Sequence, residues 1–343
     1  MKANQAVCII LILSASVAYT SCRPGRAKLP GSAYSIQVSD FRNKVISLPG
    51  PARRIICLIE SGLSGLYMLR AENQVIGVSS AIYNESASAQ YAALDERIKN
   101  KKLPAPGNWD FVSVENIIDL QPDLVIIWAS QTESIQSIEE HGIPVYGVFL
   151  QSINDVYREI KDFGVLTGKS QRADSLIAYT KSELNRLKLI QQASKDKPKS
   201  VYFMWPQGLL ETAGTTSTVN ELIELAGAKN SCTIDQEHVV VNKEKLFDWN
   251  PDMMVMWLSP SKTPEDILNL SEFQMLKAIQ HKQVYELPSA FLCDLWTLKF
   301  PYAVKIVAKW CYPSTYSDLI LDVEERKMLL ELYGQKGKNL TMN

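Results

Sequence analysis

Short apolar runs alternate with amphipathic stretches along this chain, and one such unit occurs twice. Residues 113–130, SVENIIDLQPDLVIIWAS, return in looser form at 242–259 as NKEKLFDWNPDMMVMWLS, without a gap and at a constant offset of 129 residues. At that offset Glu115 meets Glu244, Asp119 meets Asp248, Pro122 meets Pro251, Asp123 meets Asp252, Trp128 meets Trp257 and Ser130 meets Ser259. Each copy predicts the same unit. A cap residue, Ser113 or Asn242, accepts a bond from an orphan backbone N–H, and the acid that follows in the first helical turn suits the helix dipole. Val114, Ile117 and Ile118 share one helical face. After the Pro-Asp break, Leu124 to Trp128 is too short and too uniformly apolar for anything but a buried, parallel strand. Two copies of the unit predict two α/β lobes.

The rest of the chain fits that plan. Tyr34 to Val45 alternates weakly and predicts a hairpin. Ile55 to Ile59 predicts a strand, Leu63 to Leu69 a helix, Val75 to Val78 a second strand, and HGIPVYGVFL a further strand after a helix containing Ile135 and Ile138. Alternation of this kind implies a parallel sheet flanked by helices, with the ligand end at the carboxyl edges of the strands. From Ile153 to Gln192 there is no strand signal. Ala173, Leu176, Ile177, Thr180, Leu184 and Leu187 recur at spacings of three and four, which predicts a long amphipathic helix. A second βα series opens with VYFMW, continues through a helix over TVNELIELAG and a strand over Val284 to Leu287, and closes with helices around Tyr302 to Trp310 and Val323 to Tyr333. The expected fold is α/β, with two similar Rossmann-like lobes built on central parallel sheets, joined by one long rigid α-helix, and with the ligand cleft between them. The expected boundaries are residues 34–150 for the first lobe, 151–195 for the linking helices, 196–335 for the second lobe and 336–343 for a tail.

Composition adds little to the fold but narrows the setting. Of 343 residues, 46% are apolar, which excludes a disordered chain, and 36 basic against 37 acidic residues leave no electrostatic footprint for nucleic acid. At the N-terminus Lys2 precedes an apolar core from Ala6 to Val17, too short to span a bilayer. Residues 1–21 therefore read as a cleaved export signal. Cys22 then stands where a bacterial lipoprotein carries its lipid, before a flexible spacer over residues 22–33, although Tyr19, Thr20 and Ser21 depart from the usual residues there. The expectation is an exported protein, lipid-anchored through Cys22 and facing the periplasm or the cell exterior. Cys57, Cys232, Cys293 and Cys311 form no CxxC pattern, so a zinc site is not expected, and a Cys293–Cys311 pair is open only if the fold brings them together.

Catalytic signals are sparse. There is no P-loop, no GxSxG and no His-based dyad, and His141, His238 and His281 are scattered. His141, before a glycine, reads as a helix-end residue. The same scatter disfavours a bare zinc or manganese site.

PARRIICL, the VSVENIIDLQPDLVI stretch, VYFMW followed by AGTTSTVNELIELAGAKN, and the late KWCYP…YG closure together resemble the substrate-binding proteins of ABC importers. The resemblance is to the group with a helical backbone between lobes, which captures cobalamin, ferric siderophores or haem. It covers nearly everything after Ala33. It implies a monomer without a cofactor or metal of its own, a transported metal chelate with corrinoid or ferric siderophore ahead of haem, and a permease dimer as partner. Glu115 and Glu244 match the acidic residues that dock on permease arginines, and two equivalent carboxylates suit a symmetric cationic partner. Trp109, six residues before Glu115, matches a cleft tryptophan of the cobalamin-binding members. Trp205 at the end of the second lobe's first strand, Trp296 after its last strand and Tyr83 after the first lobe's second strand complete the expected ligand contacts. Trp128 and Trp257 remain open between core packing and ligand contact. Two alternatives stand beside this reading: a tungstate or molybdate oxyanion held by backbone N–H groups at the TAGTTSTVN loop, and a two-lobed metalloenzyme or chelatase on the same scaffold.

Overall fold

The computed structural model describes residues 36–84, 87–194 and 196–340. The expected export signal, Cys22 and the spacer lie outside these residues. Among the described residues twelve strands follow in order: β1 (Ile36–Ser39), β2 (Val45–Leu48), β3 (Ile55–Cys57), β4 (Val75–Val78), β5 (Leu124–Trp128), β6 (Val145–Val148), β7 (Ser200–Met204), β8 (Glu211–Ala213), β9 (Lys229–Asn230), β10 (His238–Val240), β11 (Met253–Met256) and β12 (Val284–Glu286). β1 and β2 form the antiparallel hairpin that the alternation predicted, running on to Leu48. The first lobe's sheet is parallel with order β4-β3-β5-β6, and the second lobe's is parallel with order β9-β7-β11-β12. The two orders are the same, strand for strand.

The repeat explains why. Ser113 and Asn242 each cap a helix, Val114–Asp119 and Lys243–Trp249, by accepting from Asn116 N and Lys245 N. Each helix runs out through a left-handed residue, Gln121 (φ 47°) or Asn250 (φ 40°), again 129 positions apart. The following Pro prevents the helix from resuming. Next, Asp123 accepts from the N–H groups of Arg53 and Arg54, and Asp252 accepts from that of Ser200, all at 2.9 Å. In both lobes this carboxylate fastens the start of the central strand to the neighbouring strand, β3 or β7. The Pro-Asp pair is thus a register pin as well as a helix stop.

Both faces of each sheet are covered, so successive strand residues enter different cores. Ile55, Cys57, Leu124 and Ile126 join Val201, Phe203, Met253 and Val255 in one large core that also takes in the linking helices. Ile56, Val125 and Ile127 fill a separate core in the first lobe, and Tyr202, Met254 and Met256 one in the second. This two-sided burial is why the strands read as unbroken apolar runs.

The linking segment is two helices, Ile153–Thr167 and the 24-residue Ser170–Ala193, parted at Gly168 in the left-handed region (φ 72°). Ala173, Leu176, Thr180 and Leu187 are the buried face of the longer one. Glu183, on the same face, meets Lys305 at 2.5 Å and Lys327 at 2.8 Å, while Lys305 also reaches Glu324 at 2.6 Å. The C-terminal helix Leu321–Tyr333 returns to the first lobe, where the Tyr333 hydroxyl lies 2.5 Å from Ser64 Oγ and Lys336 pairs with Glu72 at 2.7 Å. Cys57, Cys232, Cys293 and Cys311 are all buried and free, so Cys293 and Cys311 are not joined. Cys311 instead faces the Met253 sulfur at 3.8 Å.

Candidate functional site

A parallel α/β sheet exposes the ends of its strands and the first turns of its helices at the carboxyl edge. In this molecule those edges of both lobes border one hollow of about 550 Å³. The first lobe supplies Glu60 and Ser61 after β3, Trp128 and Ser130 at β5, and Val148 to Leu150 at β6. The second supplies Trp257 after β11, Glu237 before β10, and Phe291, Asp294 and Trp296 from the loop after β12. A larger hollow, about 790 Å³, lies at the opposite edge of the second lobe, where Lys197, Lys199, Asp252 and Gln283 mark the amino ends of its strands. Its described lining belongs to one lobe only.

Three indoles dominate the walls of the interlobe hollow. Trp128 and Trp257 hold equivalent places in the repeat, one at the end of each lobe's central strand. Trp257 is the middle of an aromatic row, with centroids 6.0 Å from Trp296 and 5.8 Å from Trp205, and Trp205 in turn packs on Phe203 at 4.9 Å. Such tilted and edge contacts lock the rings, which gives rigid apolar walls. Phe149 is half exposed at the first lobe's lip, and Tyr91 is buried beneath it, its hydroxyl donating to Glu60 O at 2.6 Å.

The polar part is acidic. Ser79 Oγ donates to Glu60 Oε1 at 2.5 Å. Asp294 accepts from Trp296 N at 3.0 Å, and the Lys299 ammonium lies 3.8 Å from its Oδ2. Lys299 is fully buried, donates to Ser64 Oγ at 3.3 Å and sits 3.6 Å from the Phe291 ring centroid. Burial raises the Asp294 carboxyl above its usual range and pushes the Lys299 ammonium down to about 8, so desolvation outweighs their mutual attraction on both groups. Among the described residues no group of three or more His, Cys, Asp and Glu could hold a metal ion.

The predicted contact residues fall in different places. Trp296 lines the hollow. Trp205 stands one ring behind Trp257, stacked on His238 with centroids 6.3 Å apart, its indole N–H buried without a hydrogen-bond partner among the described residues. Tyr83 donates its hydroxyl to Leu103 O at 2.9 Å and packs on the core, outside the lining. Trp109 is 62% exposed, outside the lining, on a loop turned by Asn108 Oδ1 accepting from Asp110 and Phe111 N–H. Gly107 is needed there, because a Cβ would lie 2.4 Å from Phe111 O. Glu115 and Glu244 are both exposed, in first turns beside the carboxyl edges of the sheets, and neither forms an ion pair among the described residues. The sequence reading passed over Glu60, Phe149, Phe291 and Asp294. Phe149 follows directly on β6, Glu60 comes three residues after β3 and Asp294 lies two residues from Trp296, positions that could have marked them, whereas Phe291, five residues past β12, carried no such signal.

Residues 55–291 match the family described as periplasmic binding protein. The ABC transporter substrate-binding lipoprotein YvrC of Bacillus subtilis is 25% identical over 334 residues, covering 93% of this chain and 100% of the relative. The molybdate-binding protein MolA of Haemophilus influenzae is 24% identical over 322 residues, covering 86% of this chain and 89% of MolA. Its molybdate-bound structure superposes with a TM-score of 0.76 at 22% identity, covering 87% of this chain and 97% of that one. A vitamin B12-binding protein of Yersinia pseudotuberculosis is 22% identical over 254 residues, covering 73% of this chain and 82% of the relative. With two lobes of one topology, a cleft at their carboxyl edges and a family match running through both, this chain belongs to the periplasmic binding protein family and is the ligand-binding component of an ABC transporter.

Proposed function

We propose that the chain captures a metal chelate, a corrinoid or ferric siderophore, between Trp128 of the first lobe and Trp257 and Trp296 of the second, and delivers it to a permease dimer through Glu115 and Glu244. The observation that carries this reading is the indole-walled hollow of about 550 Å³ between the lobes. Apolar clefts of this size with few polar groups suit ligands of several hundred daltons. Similarity to MolA supplies a second reading, an oxyanion, but such an ion needs space on the order of one or two waters, each about 30 Å³. Wide aromatic walls would leave it largely unbound. Haem remains a third cargo of suitable size and flatness. Trp109, on its exposed loop at the carboxyl edge, would meet only the part of a ligand that projects from the cleft.

Equilibrium dialysis of a soluble form starting at Lys28 against cyanocobalamin and ferric siderophores, with W257A as control, tests the cargo. Stoichiometric binding of one of them, lost in W257A, is the expected result; binding of molybdate alone would sink it. The proposed lipid anchor at Cys22 predicts a diacylglycerol mass increment on the exported protein, and C22A should release the chain from the membrane fraction. Among the described residues no helix is long and apolar enough to cross a membrane.

A further inference from the structure

The lining of the interlobe hollow is of one sign. Glu60, Glu237 and Asp294 border it, and among the described residues no lysine, arginine or histidine does. Glu237 is exposed at the lip, free to face a bound ligand. Lys299, the cation behind the floor, is fully buried, and its ammonium is committed to Asp294, Ser64 and the Phe291 ring. That arrangement offsets Asp294, and among the described residues no cation lines the cleft to meet an anion. Carboxylates are thus the only charged groups among the described lining residues, and a low-dielectric cleft focuses the potential that they set up.

We infer that this cleft selects chelates of zero or positive net charge and rejects anionic ones, ferric tricatecholates and oxyanions alike. The inference rests on the cleft being the ligand site, as proposed above. It divides the candidate cargoes by a property that neither their size nor their flatness fixes.

Two measurements test it. In a W109F background, which removes the exposed indole, tryptophan emission is quenched with caesium and with iodide at equal ionic strength, and the share due to the cleft is read as the difference from W109F/W257F. Relative to its action on free N-acetyltryptophanamide, caesium should quench that share at least twofold more effectively than iodide, and E237K should reverse that order. Glu237 is exposed, so E237K should fold. Iodide quenching as well as caesium would overturn the inference whatever the cargo is. The second measurement pairs probes on one scaffold: a ferric trihydroxamate with a pendant ammonium, and the same complex with that amine succinylated to a carboxylate. The cation should bind at least tenfold more tightly, with the gap closing in E237Q/D294N. Equal affinities, both lost in W257A, would overturn charge selection and leave the cleft as the site. Binding untouched by W257A would instead remove the cleft reading itself, and if neither complex binds, the quenching order decides.

Discussion

The two lobes share one strand order and one helix–Pro-Asp–strand unit, yet they furnish the cleft unequally. The first lobe brings one indole, Trp128, with Ser130 and the lip residue Phe149. The second brings Trp257 and Trp296, two of the cleft's carboxylates and the buried Lys299 beneath them. What is repeated is the scaffold: caps, left-handed helix ends, register-pinning aspartates and central strands. What is not repeated is the loop after β12, which carries Phe291, Asp294 and Trp296 and has no counterpart of equal content after β6. Duplicated backbone sets where a site is, and the unduplicated loops set what it holds.

Testing the equivalence of the lobes directly should give the largest effect. Glu115→Ala combined with Glu244→Ala should abolish uptake while leaving ligand affinity unchanged, and each single variant should impair uptake to a similar degree. If one single variant accounts for the whole loss, the lobes are not equivalent at the permease; loss of ligand affinity would make these glutamates structural.

The next largest concerns how the lobes are held. Glu183 ties the linking helix to second-lobe cations, whereas the first lobe is held by the Ser64–Tyr333 contact and by Lys336 on Glu72. Burial alone would raise the Glu183 carboxyl, but hydrogen bonds from Lys305 and Lys327 and the charges of Lys305 and Arg186 bring it from 4.5 down to about 2. A carboxyl whose folded value lies below its unfolded one stabilises fully above about pH 4.5, and that contribution is lost as pH falls through about 2. Glu183→Ala should cost roughly 3 kcal/mol at neutral pH, as for a broken buried ion pair. Urea unfolding between pH 2 and 5 should show a flatter acid limb for the variant than for the parent; parallel curves would refute this account.

At the cleft walls the asymmetry should be measurable in affinity. Trp257→Ala removes the centre of the aromatic row and should weaken ligand binding by about 2 kcal/mol, the scale of a buried tryptophan anchor. Trp128→Ala removes a ring that packs on the core without an aromatic partner among the described residues, and should cost about half as much. Isothermal titration of both variants with the same ligand compares the lobes, and equal losses would mean that the aromatic row adds nothing. Trp109→Ala should have the smallest effect, under about threefold in affinity, because a ring 62% exposed has little area left to lose from water on binding at the rim. A loss as large as that of Trp257→Ala would show that the lobes close over it.

Much of this was legible in the residues. The 129-residue repeat gave both central strands to within a residue, and the three-and-four spacing from Ala173 to Leu187 gave the buried face of the long helix. The family resemblance drew on the same stretches, because they are the ones whose local chemistry is strict: a cap must accept a bond, a helix cannot continue through Pro-Asp, and a strand buried on both faces must be apolar throughout.

Side-chain convergence was not legible in this way. Trp109 and Trp205 follow the same sequence logic as Trp296, each in a loop or at a strand end near the carboxyl edge, yet only Trp296 lines the hollow. An Asn108-centred turn holds the Trp109 loop outside the lining, and Trp257 stands between Trp205 and the space. The acidity of the cleft was equally hidden, since a chain of 36 basic and 37 acidic residues has no net sign to read. By itself the sequence determined the elements, their order and the duplication, because caps, breaks and apolar periods act within a few residues of one another. Which rings and which carboxylates line one cleft was decided only when segments far apart in the chain, around Glu60, Trp128, Glu237, Trp257 and Asp294, were packed about the same space.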